Sequence, residues 1–266
     1  MTATHPAYEA VRPVLPAARV LLQRNPGIMT LDGTNTWLLG TAAAPVVVDP
    51  GQALDDGHLD RLLAAAPSPS LVLLTHRHHD HTELAAALHE RTGVTVRGAD
   101  PAQCRGGPAL ADGETIAAAG LTIEVLLTPG HTSDSASFVV TDGSGATAVL
   151  TGDTVLGRGT TVVAHPDGDL AAYLASLERL RALGSMPVLP GHGPELPAVA
   201  DVAAAYLAHR AQRLDQIRAA LVGIGDDATA RQVVEVVYAD VDRELWDAAQ
   251  LSVGAQLAYL RGSASS

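Results

Sequence analysis

The chain has 266 residues, a formal net charge of −12 and 47% hydrophobic residues, so it can bury a sizeable core as one large domain or as one plus a small appendage. That acidity disfavours wrapping around bulk nucleic acid, which relies on clustered cations, and no run of 18 apolar residues offers a membrane span. Cys104 is the only cysteine, which rules out an internal disulfide and a multi-cysteine metal module and fits a reducing compartment.

The N-terminal stretch MTATHPAYEAVRPVLPAARVLL lacks the charged start, apolar centre and small-residue cleavage site of a secretory leader, so the expected location is the cytoplasm. Short apolar runs then predict strands at 36–39, 45–49, 71–75, 121–127, 136–140, 147–151 and 187–190. Helical patterns lie at 54–65, 82–91 and 169–183. Runs of strands interrupted by single helices point to two stacked sheets covered by helices. Beyond residue 200 the pattern becomes three helices, at 197–222, 229–238 and 244–261, with Val233, Val236, Val237, Leu251, Val253, Leu257 and Leu260 at helical spacing. The expected division is a catalytic domain over 1–200 and a helical domain over 201–266, ending in a frayed GSASS tail.

The stretch LTHRHHDHTE, at 74–83, places four histidines and an aspartate within six positions. Leaving a strand, residues two apart point the same way, so His76 and His78 face one point while Arg77 and His79 turn aside. Asp80 and His81 fall where the chain enters a helix expected near Thr82. His79 is the bystander, expected to pack or to support a neighbour. Three further residues follow strand ends beside glycines: His131 in TPGHTSDS, Asp153 in LTGDT and His192 in LPGHG. Five histidines and two aspartates divide into two sets. His76, His78 and His131 form a three-imidazole, zinc-like set with an open fourth position. Asp80, His81 and His192 form a second, and Asp153 bridges the two. Two divalent ions about 3.5–4 Å apart share a hydroxide and bring its pKa towards about 7, which makes the site a water activator.

These pieces, THRHHDH (75–81), PGHT (129–132), TGDT (151–154) and PGHG (190–193), resemble the metallo-β-lactamase superfamily. The resemblance implies an α+β fold, a four-layer αββα sandwich with the dimetal centre on one edge, and the same ligand assignments. Asp153 is present and Cys104 lies outside every motif, which argues against dedicated β-lactam hydrolysis. His78 argues against the flavo-diiron relatives, which carry glutamate there. NPGIMTLDGTNTWLLG (25–40), GDTVLGRGTTVV (152–163) and the helical tail resemble the lactamase-β-like protein 2 branch, which implies a winged-helix-like C-terminal unit and endoribonuclease activity on single-stranded RNA. The tail shows no β-wing signal, and residues 201–266 hold six Arg against nine Asp and Glu, so a role in shaping the active-site cleft is expected and duplex DNA is not.

All 17 basic residues are arginine, and asparagine occurs only at Asn25 and Asn35, so Asn35 survives against a strong compositional bias. DGTNT (32–36) reads either as a turn or as Thr34 and Asn35 reaching substrate at the metal rim. Arg158, close after Asp153, is a candidate for binding an anionic group. Asp49, in VVVDPG, suits a hydrogen bond to a ligand histidine. Together these features read as a dinuclear zinc hydrolase, with iron or manganese as alternative metals. Its expected substrate is a small molecule or a short single strand, cleaved at a phosphodiester, and Asp80 orients the attacking water. Thioester or lactone hydrolysis, in the manner of glyoxalase II, and iron-dependent thiol oxidation are the alternatives.

Overall fold

The fully apolar runs VVV and LVLL are buried on both faces, and that double burial decides the architecture. The computed structural model describes residues 7–54 and 57–263. Residues 55–56 of the expected helix 54–65 and residues 264–266 of the expected frayed tail lie outside the described residues, as do the first six of the N-terminal stretch. The chain forms two compact units: Met1–Leu127, Asp134–Gly159 and Met186–Pro197 make the first, and Thr128–Ser133, Thr160–Ser185 and Ala198–Ser266 the second.

In the first unit, strands β1 (Val11–Leu15), β2 (Ala18–Leu22), β3 (Asn35–Leu39), β4 (Val46–Val48), β5 (Leu71–Leu73) and β6 (Val96–Arg97) make one sheet in that spatial order. Strands β7 (Thr115–Ala118), β8 (Leu121–Leu127), β9 (Ala136–Thr141), β10 (Thr147–Gly152) and β11 (Val188–Pro190) make a second, ordered β11-β10-β9-β8-β7. Alternate residues of the first sheet serve two cores, because successive side chains point to opposite faces. Trp37, Leu39, Val46, Val48, Leu71 and Leu73 meet Ile123, Val125, Phe138 and Leu150 of the second sheet. Leu38, Val47, Val72 and Leu74, one residue out of step, pack beneath helices α1 (His58–Ala65) and α2 (His79–Thr92) through Leu62, Ala85 and Leu88. Four strands escaped the sequence pattern: Arg12, Pro13 and Arg19 interrupt the β1–β2 hairpin, β6 has two residues, and β7 alternates small residues on an edge.

Two parallel pairs position the chemistry. β4 pairs with β5 and β10 with β11, so each pair delivers its carboxyl ends together. The residues that follow those ends are Asp49, Thr75–His76, Asp153 and His192. A bridge between Thr34 and His192, with Asn35 donating its N–H to the Gly191 carbonyl at 2.8 Å, ties the start of β3 to the loop after β11.

The second unit contains helices α3 (Leu170–Ala182), α4 (Val199–Ile224), α5 (Ala230–Val237) and α6 (Trp246–Ser263), and no strand among its described residues. Asp169 caps α3, and a reciprocal Thr229–Gln232 capping box starts α5. Its core joins Ile217, Val233, Val234, Trp246, Val253 and Leu257. Val236 and Leu251, two of the apolar positions at helical spacing, are exposed, since only the positions facing a neighbouring helix are covered.

Candidate metal centre

After β5 the chain runs extended to Thr75, whose backbone N–H and hydroxyl both donate to the Asp49 carboxylate, at 2.8 and 2.7 Å. α2 then begins at His79, three residues before the expected Thr82, with His78 in extended geometry at the cap position. Asp80 and His81 therefore stand on the first helical turn, where the helix dipole favours a carboxylate. An acidic residue on the first turn suits the positive end of the helix dipole, an effect that hydrophobic periodicity does not register.

Asp80, His81 and His192 come together. Asp80 Oδ2 lies 3.2 Å from His81 Nε2 and 3.1 Å from His192 Nε2, and the two Nε2 atoms lie 3.2 Å apart. Asp153 approaches both imidazoles, Oδ1 at 3.6 Å from His81 Nε2 and Oδ2 at 3.4 Å from His192 Nε2. Beside them, His76 Nε2 is 3.0 Å from His78 Nδ1. His76, His81 and Asp153 also share one ligand-sized cluster, so Asp153 reaches towards both sets.

The tautomers follow from the outer nitrogens. His81 Nδ1 faces Asp49 Oδ2 at 2.8 Å and His192 Nδ1 faces the Gly33 carbonyl at 3.0 Å. Each Nδ1–H donates to its acceptor, which leaves lone pairs on the two facing Nε2 atoms. Lone pairs 3.2 Å apart beside two carboxylates fit a cation at their centre and repel without one. The ionisation pattern agrees. Burial works to raise the Asp80 and Asp153 carboxyls, yet His81 and His192 hold both well below the usual carboxylate range. Burial works to lower the imidazoles, yet Asp80, Asp49 and Asp153 carry His81 well above its ordinary value, and Asp153 with Asp80 brings His192 to about 9. In the metal-free chain a proton taken up on either Nε2 would sit where a divalent ion would bind.

Gly191 is required by close approach. A Cβ there would stand 2.7 Å from Asp153 Oδ1 and 2.8 Å from His81 Cε1. Gly152, at φ +48°, has Thr75 Oγ1 where its Cβ would lie.

Thr34 Oγ1 donates to Asp80 Oδ2 at 3.2 Å. Asn35 is buried and its amide donates to the carbonyls of Pro190 and Gly193, at 3.0 and 2.9 Å, so it clamps the His192 loop and is withdrawn from substrate. Both terminal guanidinium nitrogens of Arg158 face the Asp32 carboxylate, which neutralises the charge an anionic substrate would meet. His79 is exposed, the bystander but without the packing role expected of it. His131 belongs to the second unit, where its Nδ1 faces the Val162 carbonyl at 2.8 Å and its Nε2 carries the lone pair. Asn25 was not anticipated: its amide oxygen accepts from the Thr34 N–H at 2.8 Å and its Nδ2 donates to Thr34 Oγ1 at 3.0 Å. The rarity of asparagine in this chain was the signal that marked it.

The metallo-β-lactamase superfamily model matches residues 29–192, which hold all seven candidate ligands. The chain belongs to the metallo-β-lactamase superfamily. The model for the β-lactamase-associated winged helix domain matches residues 229–261, spanning α5 and α6. Among relatives in this superfamily, the chain is 33% identical over 265 residues to an atrochrysone carboxyl ACP thioesterase of Aspergillus fumigatus, covering 88% of this chain and 80% of that one. It is 30% identical over 243 residues to a β-lactamase-like protein 2 homolog of Caenorhabditis elegans, covering 87% and 80%. The crystal structure of a β-lactamase domain protein from Burkholderia ambifaria superposes with a TM-score of 0.81 at 23% identity, over 98% of this chain and 91% of that one. The chain thus has the metallo-β-lactamase fold, two sheets flanked by helices, with a C-terminal helical winged-helix domain. It is a metal-dependent hydrolase of that superfamily, with a His/Asp site for divalent metal. No helix among its described residues is long and apolar enough to cross a membrane.

Proposed function

We propose that this protein is a dinuclear metal hydrolase, with zinc as the first candidate metal and iron or manganese as alternatives, and that its substrate is an acyl thioester. The observation that carries the metal reading is the pair of buried Nε2 atoms of His81 and His192 facing each other at 3.2 Å beside Asp80. Asp80, His81 and His192 would hold one ion, and Asp153 would face both. The PGHT motif assigns His131 to the set with His76 and His78. Bound divalent ions supply an activated water and polarise the scissile carbonyl. Asp80 Oδ2 would orient the attacking water and accept its proton, with the Thr34 hydroxyl holding the carboxylate in place.

The thioester assignment rests on charge and on similarity. Arg158 is paired with Asp32, and Arg77 lies 3.8 Å from Asp134, so the cations near these motifs are already matched by carboxylates. A polyanion gains little there, whereas a neutral acyl thioester loses nothing. The similarity to a protein named as an ACP thioesterase points the same way. Single-stranded RNA cleavage is the second reading, favoured by the resemblance of residues 25–40 and 152–163 to the lactamase-β-like protein 2 branch and by the similarity to a β-lactamase-like protein 2 homolog.

The test is a panel of acyl-pantetheine thioesters, a glutathione thioester, a lactone, bis-p-nitrophenyl phosphate and a single-stranded oligoribonucleotide, each with and without chelator. Chelator-sensitive thioester turnover at least about a hundredfold above the phosphodiesters supports the proposal, being a discrimination of about 2.7 kcal/mol. The reverse ranking would install the nuclease reading. One iron per chain with thiol-dependent oxygen uptake would displace both.

A further inference from the structure

We infer that Glu9 and His58, remote from every candidate ligand, are positioning residues that act on the metal centre through the backbone of Asp49; the inference rests on the metal-site reading above. Asp49 is in the left-handed region at φ +54°, a conformation that a non-glycine residue holds only where surrounding contacts enforce it. The strain has a purpose. It turns the carboxylate back so that one residue accepts from the Thr75 N–H, the Thr75 hydroxyl and His81 Nδ1 together, at 2.8, 2.7 and 2.8 Å.

A line of buried contacts enforces it from behind. The Thr36 hydroxyl donates to the Asp49 carbonyl at 2.7 Å. The His58 ring, fully buried, sets Nε2 3.2 Å from Thr36 Oγ1 and Nδ1 2.9 Å from Glu9 Oε2. The Arg24 N–H donates to the other Glu9 oxygen at 2.9 Å, and the Glu9 N–H donates to the Leu22 carbonyl at 2.9 Å, which pins the N-terminal segment to the end of β2. The imidazole also packs against Gly51, where a Cβ would stand 3.0 Å from His58 Cδ2. A histidine sealed from water between a carboxylate and a hydroxyl has no route to substrate. It faces the Thr36 hydroxyl, which donates to the carbonyl of the strained Asp49.

The test is competitive metal titration of the full-length protein against a chromophoric chelator, with thermal unfolding recorded alongside. Glu9→Ala and Thr36→Val should each weaken zinc about tenfold, the low end of the range for partners that orient a ligand. Acting on one line, the two together should also weaken it about tenfold rather than a hundredfold. Tyr8→Ala, which removes the ring facing the Arg24 guanidinium but none of the hydrogen bonds named above, should leave affinity within about twofold. Unchanged affinity in Thr36→Val, multiplicative losses in the double variant, or an equal loss in Tyr8→Ala would each overturn the inference. Thr36→Val alone decides the matter should Glu9→Ala not fold. A wild-type chain that takes up no divalent metal would instead bring down the metal-site reading, and this inference with it.

Discussion

At the scale of single residues, the seven candidate ligands are distinguished by what stands behind them. His81 leans on Asp49 and His192 on the Gly33 carbonyl, so both present Nε2. Asp80 leans on Thr34, and Thr34 on Asn25. Replacing Asp80 with Ala should lower kcat about 10²–10⁴-fold, the usual share of a general base, with the fold intact by circular dichroism. Near-wild-type turnover in metal-verified protein would remove Asp80 from the chemistry. Thr34→Val removes one hydrogen bond to that carboxylate, worth about 1 kcal/mol, and should lower kcat about fivefold while KM holds. All seven candidate ligands were legible: His131, Asp153 and His192 stand beside glycines after strands, and His76, His78, Asp80 and His81 share one short motif. Asn35 was legible as important, but its two carbonyl partners lie 155 and 158 positions away, and no local pattern encodes such a pairing.

Among the elements, the decisive units are the two parallel strand pairs and the first turn of α2. Their ends converge only if Gly191 has no side chain. Gly191→Ala places a methyl on Asp153 and His81, and zinc affinity should fall at least about tenfold in the same chelator competition, with little change in far-ultraviolet signal. The sandwich answers to different residues. Phe138 is fully buried between the sheets, and Phe138→Ala should cost about 3–5 kcal/mol in urea unfolding, from lost burial and the cavity left behind. Strands buried on both faces were legible as apolar runs. The β1–β2 hairpin was not: Arg12 and Pro13 sit on the edge strand β1, where neither face needs to be wholly apolar, and Arg19 interrupts the apolar run of β2.

For the molecule as a whole, the centre stores charge that protons or metal must balance. His192 titrates at about 9 in the metal-free chain against an ordinary value of 6.5, raised by Asp153 and Asp80. A raised folded-state value contributes stability that is complete below about 6.5 and is lost as pH climbs through about 9. Melting temperature of the metal-free protein should therefore decline across that window. Zinc at about a hundred times its dissociation constant adds about 2.7 kcal/mol and should flatten the decline, because the ion takes the protons' place. A melting temperature of the metal-free protein that rises from pH 6.5 to 9 would contradict the assigned charges.

The amino-acid order alone determined the class of chemistry. Histidine and aspartate at spacings of one and two residues can converge only by local geometry, and local geometry is what sequence encodes most directly. It also determined that apolar strands would bury two faces, since a run without polar members has no side to give to water. The tertiary structure decided which side chains support which ligands: that Asp49 is bent back onto His81, that Arg158 is matched by Asp32, and that His58 lies sealed behind Thr36. Each of those pairings joins residues far apart along the chain. Distance along a sequence carries no record of distance in space until the sheets have closed.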